Sequence, residues 1–475
     1  MKIKFKYISM IVLVGFSFSC FNDNDDDIAS DTSIKNFVWN SMNATYLYKS
    51  EINNLSNDRF GTNNEYLEFI DSFEDPESLF EALIYDRQIV DRFSLISNNY
   101  YQLEQQLSGL SRINGAEYNF YLVPGSSSNV FGIVRLILPN TNASNTNLLR
   151  GSIFNKINGV QITTNNLSSL LKNDSYSLNM AIYNDNDTDT TSDDEIIDSN
   201  EIISLTKEEY NENPIYSHTV INVGPEKAGY LMYNGFVNEY NEELNQVFGE
   251  FKSQNIDHLI LDLRYNSGGS IQTATLLGSM ITGQFNNQIF TTLKYNDELQ
   301  SNNVNYNFTN NYNNELIINN LNLNKVYIIT SNRSASASEM MINSLKCYID
   351  VSQIGDETVG KSQASTILYD SPNLSRNNVN SSHTYAILPL IAITVNKNDE
   401  EVPSSGIVPE ISIIENPKEY GIIGDSFEPI LELVLAEIQG FNRIPISSNN
   451  SYNLIYEDDT NSIKNLMYVK SASNK

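Results

Sequence analysis

"KVYIITSNRSASASEMMINSLK", residues 325–346, passes from an apolar run of strand character through a turn of small residues into a helix-like stretch. A strand that turns tightly into a helix exposes a side chain at the helix N-terminus, where backbone N–H groups are free and negative charge is favoured. A second unit of this kind precedes it. Leu244, Val247, Phe248 and Phe251 are spaced as one helical stripe, and "DHLILDLRYNSGG", residues 257–269, follows as an apolar strand closed by glycines. This alternation predicts an α/β core over residues 227–415.

The small turn holds Ser334, Ser336 and Ser338 at alternate positions. A serine hydrolase needs a nucleophile, a base within hydrogen-bond reach and donors aimed at the developing oxyanion. Residues two apart on a helix point to nearly opposite faces, so Ser334 and Ser338 share a side that Ser336 does not. The alanines flanking Ser336 leave room for a substrate backbone. His218, His258 and His383 are the only histidines, and no motif gives any of them a carboxylate partner. "GDETVGKSQAS", residues 355–365, offers Lys361 instead. A desolvated lysine sheds its proton more readily and can serve as a base, although a lone loop lysine is usually a solvated charge.

Composition narrows the classes. The chain has 475 residues, 40% hydrophobic and 18% charged, as folded proteins do. A formal charge of −29, with no basic cluster beyond the first six residues, gives nucleic-acid binding no electrostatic footing. At the start, Lys2, Lys4 and Lys6 precede an apolar run from Tyr7 to Phe18 and the small-residue exit Ser17–Cys20, a pattern of export too short to span a bilayer. It resembles a bacterial lipoprotein signal over residues 1–20, which implies acylation at Cys20 and a lipid anchor in the cell envelope, on the periplasmic or surface face of the outer membrane. Residues 21–33, with the acidic run Asp23–Asp27, read as a solvated tether. The other cysteine, Cys347, reads as a small buried hydrophobe.

Residues 34–112 carry helical signals: Ile34, Phe37 and Val38 at three-four spacing, then "DPESLFEALIYD" at 75–86, with Asp75 placed to cap and Pro76 in the first turn. Residues 113–210 change to short strands broken by Asn, Ser and Gly. In "NLLRGSIFNKINGVQIT", residues 147–163, alternation at Ile153, Asn155 and Ile157 meets an Asn158-Gly159 hairpin turn. The words resemble a PDZ domain, with Ser152 where the usual aspartate stands, and "YNFYLVP" at 118–124 could supply an edge for peptide addition. The acidic tract from Asn184 puts Asp185, Asp187, Asp189 and Asp193 at calcium-loop positions, but Thr190 and Ile196 replace the required Gly and Glu, so it reads as a solvated loop and no metal is expected. The last segment, 416–475, has the amphipathic "EPILELVLAEI" at 428–438.

"LILDLRYNSGGS", "TSNRSASASE", "VGK" and "GIVPE", in that order, resemble the motifs of the carboxy-terminal processing, or tail-specific, serine peptidases. Lys361 follows Ser336 by twenty-five positions, the family's interval between nucleophile and base. The resemblance implies a multidomain α/β protein: an N-terminal helical domain, a PDZ-like module, and a peptidase core of the crotonase/Clp-protease-like type. It further implies Ser336 as nucleophile, Lys361 as base, and an oxyanion hole from the N–H of Ala337 and of a glycine in Gly268-Gly269. No cofactor is called for. The partners implied are protein or peptide substrates taken by a free C-terminus. Two positions depart: Ser365 stands where many members have a lysine-orienting glutamine, which leaves Gln363 as the candidate for that task, and Cys347 stands where some have an aspartate. Asp262, Arg264 and Asn266 read as groups that fix the strand end. The alternatives are a non-catalytic peptide-binding lipoprotein on the same fold, and a transport or adhesion lipoprotein.

Overall fold

The computed structural model describes residues 29–188, 190–312, 316–416, 418–441, 454–457 and 467–469. The expected export segment with Cys20, most of the tether and Asp189 lie outside them. Among the described residues, no helix is long and apolar enough to cross a membrane.

A six-stranded sheet forms the core, in the order Ile215–Val223, Glu226–Tyr233, His258–Asp262, Lys325–Thr330, Asp350–Gly355, Ile411–Ser412. The first two strands make an antiparallel hairpin and the others run parallel. Side-chain alternation divides the two faces. Leu259, Leu261, Val326 and Ile328 point to a cluster that includes Leu244, Val247 and Phe248 of helix Asn241–Ser253, Leu277 of helix Ile271–Thr282 and Met340 of helix Ala337–Leu345. Ile260, Tyr327 and Ile329 point to the opposite face, where Ile430, Leu431 and Val434 of helix Pro429–Ile438 cover them. Both amphipathic stripes seen in the sequence thus serve the same sheet from opposite sides.

Before this core come the other two regions. Helix Pro76–Ala82 begins with Asp75 accepting from the Ser78 N–H and Pro76 in the first turn. The helical region expected over residues 34–112 does not close its core alone. Strand Leu95–Ser97 pairs with Ala386–Leu388, and Leu368 and Ile387 complete the cluster built on Phe37, Val38, Leu79 and Phe80. A helical stripe of this length cannot bury its own apolar face, so the later strands close it. The β module orders its strands Ala116–Leu122, Val130–Ile137, Ile153–Ile157, Ser175–Asn184, Glu195–Thr206. Its hairpin turn is at Asn158 and Gly159, both with positive φ, as a two-residue type I′ connection requires. In the acidic tract, Lys418 pairs with Asp185 and Asp194.

An ion network couples the module to the core. Arg150 reaches Glu415 at 2.5 Å and the Tyr265 hydroxyl at 2.7 Å, and Arg264 reaches the same carboxylate at 3.1 Å. Burial pushes the Glu415 carboxyl up, but Arg150 and Arg264 outweigh it and hold the group at about 2. A carboxylate depressed on folding lends stability that is full above its unfolded value and fades as pH falls toward its folded one. Glu415→Gln is therefore expected to cost about 2–3 kcal/mol at pH 7, since Arg264 keeps Asp262 and Glu428. The penalty should shrink between about pH 4.5 and 2, read from urea unfolding; a constant penalty over that range would remove the network from this role.

Candidate active site

Three loops leave the C-terminal ends of three adjacent parallel strands, the edge at which open α/β sheets build their sites. Strand His258–Asp262 leads to Gly268 and Gly269, strand Lys325–Thr330 to Ser336, and strand Asp350–Gly355 to Lys361. The sheet order alone brings these sequence-distant residues to one place.

Hydrogen bonding separates the three serines. Ser334 Oγ donates to the Leu263 carbonyl at 2.8 Å, and Ser338 Oγ to the Asn266 carbonyl at 3.0 Å. Both hydroxyls hold the serine turn against the glycine loop. Ser336, on the other side, has an Oγ that is fully buried and has no hydrogen-bond partner. Its φ of 64° with ψ of −114° is a conformation that non-glycine residues rarely adopt, and holding it costs about 1–3 kcal/mol. Ala335 and Ala337, both fully buried, give that kink room.

Glu339 organises the site, and the sequence reading did not single it out. Its Oε2 accepts the N–H groups of Ser336 at 2.7 Å and Lys361 at 2.9 Å. Oε1 accepts the Gly360 N–H at 2.6 Å and the Thr358 hydroxyl at 2.5 Å. One carboxylate oxygen thus bridges the backbones of the two residues expected to react. Burial raises the Glu339 carboxyl above its ordinary range, while these four hydrogen bonds pull it down.

Lys361 is completely buried, and desolvation lowers its ammonium to about 7, against the opposing pull of Asp91 and Glu339. Its Nζ lies 4.4 Å from the centre of the Phe93 ring. Asp91 is a buried carboxylate held by the Tyr46 hydroxyl, the Ser94 hydroxyl and two backbone N–H groups. The N-terminal region therefore supplies the surroundings of the base. Gln363 interacts with the Tyr48 hydroxyl, and the Gln363 Oε1 is buried without a hydrogen-bond partner. Ser365 is fully buried, its Oγ likewise unpaired.

Among the glycines, the Gly268 N–H donates to Asn266 Oδ1 at 2.9 Å. Gly269 has φ of 130°, and a Cβ there would lie 2.4 Å from the Phe236 carbonyl oxygen, so no larger residue fits. Ala337 is the first residue of its helix, where the N–H has no intrahelical acceptor. Asp262 and Arg264 pair with each other, and Asn266 binds the Tyr233 carbonyl, which fixes the strand end.

Two expectations change. Each histidine does have a carboxylate partner, His218 with Glu250, His258 with Glu226 and His383 with Asp370, but none of these pairs bonds to Ser336. The partners lie far off in sequence, which is why no motif displayed them. Cys347 is only partly buried, just past the end of helix Ala337–Leu345, and is not a core residue.

The family model described as Peptidase family S41 matches residues 227–410, and that of the Peptidase S41 N-terminal domain matches residues 33–95. The chain belongs to peptidase family S41. The S41 match takes in both glycines, all three serines and Lys361. A CtpA-like serine protease of Staphylococcus epidermidis is 29% identical over 141 residues, 30% of this chain; the match spans 26% of that relative's length. The crystal structure of an S41 protease from Bacteroides fragilis NCTC 9343 is similar in fold, with a TM-score of 0.67 and 24% identity over 85% of this chain and 97% of that one.

Proposed function

We propose that the chain is a cofactor-independent serine endopeptidase with Ser336 as nucleophile and Lys361 as base. The observation that carries this reading is the pairing of one unpartnered serine hydroxyl with one buried lysine, whose backbones share a single carboxylate oxygen. Neutral Lys361 accepts the Ser336 Oγ proton as the oxygen attacks a peptide carbonyl. The protonated amine then gives that proton to the leaving amine, and water clears the acyl-enzyme. The oxyanion faces the N–H of Ala337 and of Gly269, because the Gly268 N–H is already engaged by Asn266. Ser336 Oγ makes no hydrogen bond in this structure, and such contacts commonly tighten only when substrate binds.

Substrates are unfolded or exported proteins, cut near the C-terminal region after the β module takes the extended tail by strand addition. The N-terminal sequence favours an export signal and a lipid anchor at Cys20, which would hold the enzyme in the cell envelope.

Incubation with an unfolded protein, with products read by mass spectrometry across pH, tests this. Cleavage should rise with pH through an apparent value near 7 as Lys361 loses its proton. A rate flat between pH 6 and 9 would remove Lys361 as the base. Peptide binding without turnover at any pH would favour the non-catalytic scaffold, a reading to which the unpaired Ser365 and Gln363 oxygens lend support.

A further inference from the structure

Two short stretches late in the chain add strands to distant parts of the molecule. Leu454–Glu457 pairs antiparallel with Asn119–Tyr121, on strand Ala116–Leu122, which is otherwise the edge of the β module's sheet. Met467–Tyr468 lies between Gly269–Ser270 and Gln363–Ser365, parallel to both. The Val469 N–H donates to the Ser365 carbonyl at 3.0 Å, and the Thr366 hydroxyl to the Val469 carbonyl at 3.1 Å. Met467 is fully buried in the main core cluster with Ala364 and Ala392. Tyr468 walls a cavity together with Gly268, Gly269, Phe236 and Leu107.

The position beside Gly269 decides what this strand does. The Phe236 N–H donates to the Gly268 carbonyl at 2.9 Å, and the Ser270 N–H to the Phe236 carbonyl at 2.8 Å, so one edge of the glycine strand is taken. Backbone groups alternate sides along an extended chain, so Gly269 presents its own N–H and carbonyl to the other edge, where Met467 sits. That N–H is the glycine donor assigned above to the oxyanion. Without Met467–Tyr468, the glycine strand and the strand after Lys361 would be second neighbours about 9–10 Å apart, a gap one extended peptide wide.

We infer that these two stretches form an autoinhibitory segment, a pseudo-substrate carried in cis. It covers the strand edge of the β module and fills the peptide gap beside the oxyanion donor, and a substrate peptide binds only after displacing it. The consequence for catalysis rests on the peptidase reading; the occupancy of the gap does not. Enclosure agrees with the complete burial of both Ser336 and Lys361. A tethered segment competes at an effective concentration of about 1 mM, so a peptide of about 100 μM affinity is weakened about ten-fold by the intact chain.

The test is fluorescence anisotropy with a fluorescein-labelled peptide of residues 464–475, titrated onto chains that carry Ser336→Ala so that nothing is turned over. Three such chains are compared: the intact one, one with Met467→Glu, and one ending at Phe441. The last two should bind the peptide about ten-fold more tightly or better. Equal affinity for all three overturns the inference. So does loss of folding, by circular dichroism, in both altered chains, since the segment would then be a permanent strand of the sheet. Tighter binding, combined with no cleavage by the corresponding chains that retain Ser336, would leave the inference standing and remove only the peptidase reading.

Discussion

Ser336→Ala is expected to lower cleavage of an unfolded protein by about 10³-fold or more, while the urea midpoint of the chain stays level or rises. These two outcomes belong together because of how the hydroxyl is placed. A buried oxygen with no partner contributes nothing to the folded state and carries a desolvation cost, so its removal should not destabilise. Ser334→Ala and Ser338→Ala should show the reverse pattern. Each loses a hydrogen bond to the glycine loop, worth about 1 kcal/mol, and retains measurable cutting. Lys361→Met should match the catalytic loss of Ser336→Ala, and the double variant should be no worse than either, because two groups acting in one step do not add. Lys361→Met should also raise stability, more at pH 6 than at pH 10. The folded chain holds this proton less tightly than the unfolded one, so the wild type is penalised in full below about 7 and recovers as pH rises toward 10.5. Wild-type cutting in Ser336→Ala would move the nucleophile elsewhere; greater stability at pH 6 than at pH 10 for wild type relative to Lys361→Met would contradict a neutralised lysine.

How far the sequence displays this site depends on the range of the interactions that build it. Period and punctuation are local, so the strand before Ser336, the stripe at Leu244–Phe251 and the Asn158-Gly159 turn are legible from neighbouring residues alone. The choice of Ser336 over Ser334 and Ser338 is half legible. Alternation separates one serine from the other two, but only the carbonyls of Leu263 and Asn266, seventy residues earlier, show which side is structural. The surroundings of Lys361 are not legible. Asp91 and Phe93 lie about 270 residues before it, and nothing periodic in that stretch announces a carboxylate placed to act on a buried amine. Glu339 was readable in principle, since an acidic residue three positions into a helix can cap its own N-terminus. Its bonds to Thr358, Gly360 and Lys361 depend on the order of strands in the sheet, and the chain writes no such order. The helical region shows the same limit: its stripes predict helices, but not that Leu368 and Ile387 must complete their core.

Glu339→Gln carries the second large effect, and it separates positioning from chemistry. All four groups on the carboxylate are donors, so a neutral side chain that turns an NH₂ toward two of them leaves those two without an acceptor. At about 1–3 kcal/mol for each buried donor left unpaired, the variant should lose about 3–5 kcal/mol of unfolding free energy. Cleavage should fall by about 10²-fold, since a displacement of about 1 Å between nucleophile and base is enough for that. A merely structural lesion would stop there. Glu339 also raises the proton affinity of Lys361 through its charge, so the acid limb of the pH profile should move to lower pH in the variant even as the plateau drops. Glu339→Asp, too short to reach both Ser336 and Gly360 from the same helix position, should recover the position of the limb in part but little of the rate. A limb that stays near 7 in Glu339→Gln would mean that the carboxylate only ties the two loops together, and that desolvation alone sets the lysine; a plateau equal to wild type would mean that the shared oxygen plays no part in aligning Ser336 with Lys361.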